Sequence, residues 1–256
     1  MAETAQTGES CMTAGNTPSV VLPPLGVPAG GLAPLLPSLS ARGPVALHDL
    51  PGQGLAAPSH GATLRQLAAG VLDTLDASGF DQANVCGFGF GGMGALRLAI
   101  DHPARVDRLV VACSSAAPGN QDAYRARAAA VRDTGLAGVA DQVIAAWTTR
   151  RHPAVVPRLT AMLLSCDPES YAAHCEVLAE VDLRDAVSGI SAPTLVLAGA
   201  RDPALPPAHS RRLADALPWS TYDEVEEAAH LPWVDRATAL SAAITDHLDG
   251  RLNVSL

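Results

Sequence analysis

The residues best able to do chemistry lie in three places along the 256-residue chain. Gly87-Phe88-Gly89-Phe90-Gly91 joins an apolar run at 83–86 to a stretch of helical character at 92–100. A strand, a glycine-dense turn and a helix make the elbow that presents a nucleophile on its central residue, with the pattern G-x-S-x-G. The central residue here is Gly89, which has no side chain to attack with. Asp202 follows an apolar strand run at 194–198, and His230 follows the next strand, 221–225. An acid after one strand and a histidine after the next let a carboxylate orient an imidazole for general acid or base work. The order elbow, acid, histidine is thus that of a hydrolytic triad without its hydroxyl.

The elements that must position these groups alternate. Strands are expected at 19–22, 44–47, 83–86, 106–113, 194–198 and 221–225, with helices at 32–41, 63–77, 92–100, 208–216 and 237–248. Alternation at this spacing implies a parallel sheet covered on both faces, with ligands beyond the carboxyl ends of its strands. The rhythm breaks from 120 to 188, where only helical patterns occur, at 122–133, 136–148, 154–166 and 169–180. That stretch reads as a helical cap inserted between strands. Residues 1–18 are small and polar without periodicity and are expected to be a disordered tail.

Composition narrows the function. All 17 basic residues are arginine, which excludes a Walker lysine, a Schiff-base lysine and pyridoxal chemistry. A net charge of −9 argues against nucleic acid or an anionic membrane as partner, leaving a small-molecule substrate. The five cysteines (Cys11, Cys86, Cys113, Cys166, Cys175) show no metal-ligand spacing, and those in apolar runs read as reduced core thiols. No secretory segment and no 18-residue apolar span appear, so a cytoplasmic location is expected. Gly87, Gly89 and Gly92 also satisfy G-x-G-x-x-G. A dinucleotide site, however, needs an acid at the end of the next strand, where Cys113-Ser114 stands. No nucleotide, other cofactor or metal is expected.

Several stretches between Val20 and Leu248 carry a closer likeness: the DLPGQG turn at 49–54, GGMGALRLA after the elbow, AVRDTGLAGVADQVIAAW in the cap, and AAHLPWV around His230. The chain resembles the 3-oxoadipate enol-lactonases, small α/β-hydrolases that open a lactone in aromatic-acid degradation. The resemblance implies an α/β-hydrolase fold with a small helical cap inserted after the sixth strand of the family fold. The core is then 19–118 and 189–250, and the cap 119–188. It also implies that Asp202 and His230 are the catalytic acid and base, and that Gly89 stands where the family has its nucleophilic serine. The family's oxyanion turn corresponds to Pro23-Pro24, with the Leu25 N–H still available beside that of Phe90. Ser114 and Ser115 match a polar pair near the site and are expected to serve structure or substrate contact. In the cap, Trp147 with Arg150 and Arg151 are candidates to face the site and hold a substrate carboxylate. The family's opening β-hairpin has no counterpart in 1–18.

Two functions of different class follow. In one, the His230–Asp202 dyad acts without a covalent intermediate on a small acidic lactone or polyketide-like molecule, by hydrolysis, isomerisation or cyclisation, with a water beside Gly89. In the other, the chain is a non-catalytic relative that binds a small molecule or a partner. The retained acid and histidine favour the first.

Overall fold

A computed structural model describes residues 17–61, 63–150 and 153–251; Cys11, Arg151 and all but the last two residues of the expected tail lie outside these. Six strands form one sheet: β1 (Ser19–Leu22), β2 (Val45–Leu47), β3 (Ala83–Phe88), β4 (Val106–Ala112), β5 (Thr194–Gly199) and β6 (Ser220–Val225). They are parallel throughout, in the order β2-β1-β3-β4-β5-β6. Successive strand side chains point to opposite faces. Every residue of β1, β3 and β5 is nonetheless buried, so the central sheet is covered on both sides. The edge strands β2 and β6 are partly exposed, and β6 accordingly carries Tyr222, Asp223 and Glu224.

The core helices are α1 (Leu36–Ser40), α2 (Leu64–Ala77) and α3 (Phe90–Asp101). Thr63 caps α2 reciprocally with Gln66, the capping-box arrangement that satisfies orphan N–H groups at a helix start. The single helix expected at 32–41 is instead a 3-10 turn over Ala29–Leu35 followed by α1. Pro34 and Pro37 lack the N–H groups that one continuous α-helix there would need.

Three helices lie between β4 and β5: α4 (Gln121–Trp147), α5 (Val156–Leu164) and α6 (Pro168–Glu180). α4 is broken at Gly135, where φ is 69° and ψ 179°, so the two helical patterns expected on either side of that residue are both present. α4 packs along α6, and Arg132 of α4 holds both Glu169 and Glu176 of α6. After β5 come α7 (Pro207–Ala216), the short α8 (Pro232–Asp235) and α9 (Ala237–Leu248). Among the described residues no helix is long and apolar enough to cross a membrane.

Candidate active site

The turn between β3 and α3 centres on Gly89, at φ 52° and ψ −120°. This left-handed conformation is nearly free for glycine and costs other residues of order 1–3 kcal/mol. The turn is also tight: a Cβ on Gly91 would sit 2.4 Å from the Pro23 carbonyl oxygen. The glycine density of the motif is thus what lets α3 leave β3 so abruptly.

Position 89 faces two groups. A Cβ built there would lie 3.2 Å from His230 Nε2 and 2.8 Å from Pro24 Cβ. His230 is therefore aimed at the elbow. Its other nitrogen, Nδ1, lies 2.7 Å from Asp202 Oδ2. Asp202 is fixed in turn, because its Oδ1 accepts the Ala204 and Leu205 N–H groups at 2.8 and 2.9 Å. A carboxylate accepting from Nδ1–H selects the imidazole tautomer whose Nε2 lone pair points at Gly89. A base with a fixed orienter and a free nitrogen aimed into a cavity is equipped to move protons.

The turn opposite the elbow is built by the DLPGQG segment. Gln53, buried, accepts the Gly26 N–H at 2.7 Å and donates to the Pro24 and Val27 carbonyls at 3.3 and 2.8 Å. Asp49 accepts the Ala29 N–H at 2.6 Å. Leu25 is thereby held against the cavity, across from Phe90 at the first position of α3. Among the described hydrogen bonds neither the Leu25 nor the Phe90 N–H has an acceptor. Two unengaged N–H groups, one at a helix N-terminus, suit a developing oxyanion.

These groups line a cavity of about 80 Å³ with Gly89, Cys113, Trp147 and Arg127 on its wall. Of the cap residues expected at the site, Trp147 is there, its indole against Gly26. Arg150 is not. It lines a separate apolar cavity between Val27, Leu159 and Trp233 and donates to the Val234 carbonyl, because the chain turns away from the site directly after Trp147. Ser114 is likewise displaced from the cavity wall. It is fully buried with its Oγ beneath Gly92, since its side chain points under α3. Ser115 lines a different crevice, with His209 and Arg212.

Sequence reasoning missed Arg127. Its guanidinium lies 5.7 Å from the Tyr124 ring centre, and among the described residues it forms no ion pair. Nothing in the pattern of 121–133, which also holds Arg125 and Arg132, separates this arginine from its neighbours. Cys113 is a free, buried thiol as expected, and its place at the site is what the sequence did not show. It is buried but stands on the cavity wall at φ 50°, just past β4. Its sulfur, the Asp202 carboxylate and His230 lie within 4.8 Å of one another, close enough in principle for a metal. The Asp202–His230 hydrogen bond occupies two of those donors. Burial and the neighbouring Asp202 charge push the Cys113 thiol well above its usual range, so the third is protonated.

The profile of the alpha/beta hydrolase family matches residues 20–243. The chain is a member of that family. The 3-oxoadipate enol-lactonase 2 of Acinetobacter baylyi is 35% identical over 205 residues, covering 78% of this chain and 76% of that one. A pimeloyl-[acyl-carrier protein] methyl ester esterase of Vibrio cholerae is 30% identical over 75% of this chain and 78% of its own. The crystal structure of the enol-lactonase from Burkholderia xenovorans superposes with a TM-score of 0.87 at 33% identity, covering 92% of this chain and 93% of that one. The strand order of this α/β-hydrolase places the elbow, Asp202 and His230 at the carboxyl ends of β3, β5 and β6, on one edge of the sheet.

Proposed function

We propose that this α/β-hydrolase-fold chain acts on a small lactone or polyketide-like molecule that carries an anionic group, using His230 and Asp202 without a covalent intermediate. One observation carries the reading: Nε2 of an imidazole fixed by Asp202 faces an elbow whose central residue, Gly89, has no side chain. Covalent catalysis needs a nucleophile on the cavity wall. The described candidates there are Cys113, Tyr124 and Tyr171, and burial raises the pKa of all three. Water is the remaining nucleophile, and the cavity has room for several, at roughly 10–15 Å³ each.

For hydrolysis the step runs as follows. His230 Nε2 takes a proton from water as its oxygen bonds to the lactone carbonyl carbon. The carbonyl oxygen becomes an oxyanion between the Leu25 and Phe90 N–H groups. The acyl C–O bond then breaks, and the imidazolium returns its proton to the departing oxygen. The same base removing a proton from carbon would instead give isomerisation or cyclisation. Arg127, facing the cavity without a carboxylate of its own, is the group that would receive an anionic substituent; a guanidinium pairs with carboxylate bidentately. Trp147 supplies an apolar wall.

One contact favours the second reading, a non-catalytic binder. The Pro24 ring stands where it would crowd a side chain at position 89, so the turn as built leaves little room for a nucleophile there. The test is turnover of a carboxylate-bearing enol-lactone by the native chain and by His230→Ala. Turnover that disappears in the variant supports the dyad. Binding of the lactone with no turnover in either supports the binder.

A further inference from the structure

Asp235 is a buried carboxylate that the chemistry above does not use. It lies at the end of α8, five residues after His230. Among the described residues it meets no arginine or histidine. Its partners among the described residues are neutral donors, drawn from two separate segments. From the end of α4 it takes the Thr148 hydroxyl on Oδ1 at 2.5 Å and the Thr149 N–H on Oδ2 at 3.2 Å. From the loop that carries the imidazole, Oδ2 takes the Ala229 N–H at 2.9 Å. Ala229 directly precedes His230.

The two segments touch elsewhere too. The Leu231 N–H donates to the Trp147 carbonyl at 2.7 Å, and the His230 N–H reaches the Ala146 carbonyl at 3.4 Å. The Thr149 hydroxyl donates to the Glu227 carbonyl at 3.0 Å. Glu227 itself sits at φ 58°, a conformation a non-glycine residue holds only when its surroundings impose it. On the far side of Ala229, the Cys113 thiol approaches its carbonyl at 3.9 Å. The residue before the imidazole is thus held at both its N–H and its C=O.

A buried carboxylate needs full hydrogen bonding to be tolerated, and one that binds donors from two segments joins them. An amide could replace it only with one donor turned round and the charge lost. The NH₂ of an asparagine would face either the Ala229 and Thr149 N–H groups or the Thr148 hydroxyl, which would have to turn round to accept. We propose that Asp235 is a positioning residue that locks the cap's α4 end to the His230 loop, so that settling of the cap over a ligand and placement of the imidazole are one event. A ligand pressing on Trp147 and Arg127 would then be felt at His230 through Thr148, Thr149 and Asp235. The proposal takes from the reading above only that His230 is the working base, and its readout does not require turnover.

The experiment is amide exchange on the full chain, with the His230 ring protons followed by NMR, for the native protein, Asp235→Asn and Thr148→Val. Asp235→Asn is expected to speed exchange in 146–149 and 227–231 together, by roughly tenfold or more for the loss of a hydrogen bond to a charged group. The rest of α4 should be unaffected, and the Nδ1–H resonance of His230 should broaden as Asp202 loses its hold. Thr148→Val changes only the cap side, yet is expected to loosen 227–231 as well. It also decides the matter if Asp235→Asn fails to fold. The proposal is overturned if Thr148→Val leaves 227–231 and the His230 resonance unchanged, or if Asp235→Asn loosens one segment alone. Loss of the lock with normal lactone turnover would count against the dyad reading instead.

Discussion

Placing a side chain at position 89 is a severe perturbation, and the structure says by how much. Gly89→Ser puts a Cβ on a residue at φ 52°. That conformation costs a non-glycine residue of order 1–3 kcal/mol. The same Cβ lands 2.8 Å from Pro24 Cβ. This is a ring carbon, not the end of a flexible chain, and Gln53 holds the turn at the Pro24 carbonyl and the Gly26 N–H. Overpacking of this kind adds roughly 1–3 kcal/mol. The sum, about 2–6 kcal/mol, compares with a total stability of about 5–15 kcal/mol for an ordinary domain. At roughly 2–4 °C per kcal/mol for a chain of this size, the melting temperature should fall by about 4–24 °C. Pro24→Gly removes the clashing carbon. In the double variant the packing part of the cost should vanish, giving a coupling of about 1–3 kcal/mol in a double-mutant cycle. The assay is thermal unfolding of the four proteins, followed by hydrolysis of nitrophenyl acetate. Esterase activity is expected in the double variant and not in Gly89→Ser alone, because only the former seats a hydroxyl beside Nε2 without displacing the Leu25 turn. A Gly89→Ser protein as stable as the native one, with no coupling to Pro24, would refute the reasoning.

Three further outcomes follow. Arg127→Ala should raise KM for a carboxylate-bearing lactone roughly 10- to 100-fold, the worth of a hydrogen bond between charged groups, while leaving its methyl ester nearly unchanged; an equal effect on both would remove Arg127 as the anion receptor. His174 and His247 are fully buried and burial lowers each to about 4, so the unfolded chain binds more protons between that value and about 6.5. Stability is then complete above that window and lost as pH falls through it, by up to about 1.4 kcal/mol per unit for each histidine. His174→Leu should flatten the slope by up to about 1.4 kcal/mol per pH unit in denaturant titrations, and an unchanged slope would contradict the assignment. Gln53→Leu strands the Gly26 N–H and should destabilise the protein by about 1–3 kcal/mol, read as a lowered denaturation midpoint at constant m.

The elements that were legible in the sequence share a physical reason. β3 and β5 are covered on both faces, so they read as unbroken apolar runs, and the turns after β3, β5 and β6 hold the residue types that suit an elbow and a dyad. Gly89, Asp202 and His230 were therefore found by order and context, and Trp147 by its place in the cap. What was not legible depends on how helices lie over the sheet. Whether Arg127 or Arg150 faces the cavity is decided by the rotation of α4 and by the turn after Trp147, and both arginines sit in equally polar sequence. Cys113 read as core because it ends an apolar run, and it is buried; only the left-handed turn at the end of β4 brings its sulfur beside Asp202. Asp235 had no signal at all, since its three donors come from segments more than 80 residues apart in the chain as well as from its own loop.

The central claim is proton transfer by His230 and Asp202 with no acyl-enzyme. Intact-protein mass spectrometry of the native chain, quenched while it turns over a carboxylate-bearing lactone, tests it most directly. The account predicts product formation that requires His230 and a protein mass that never changes. A mass gain equal to the opened acyl group, mapping to Cys113 or to any other side chain, would contradict it.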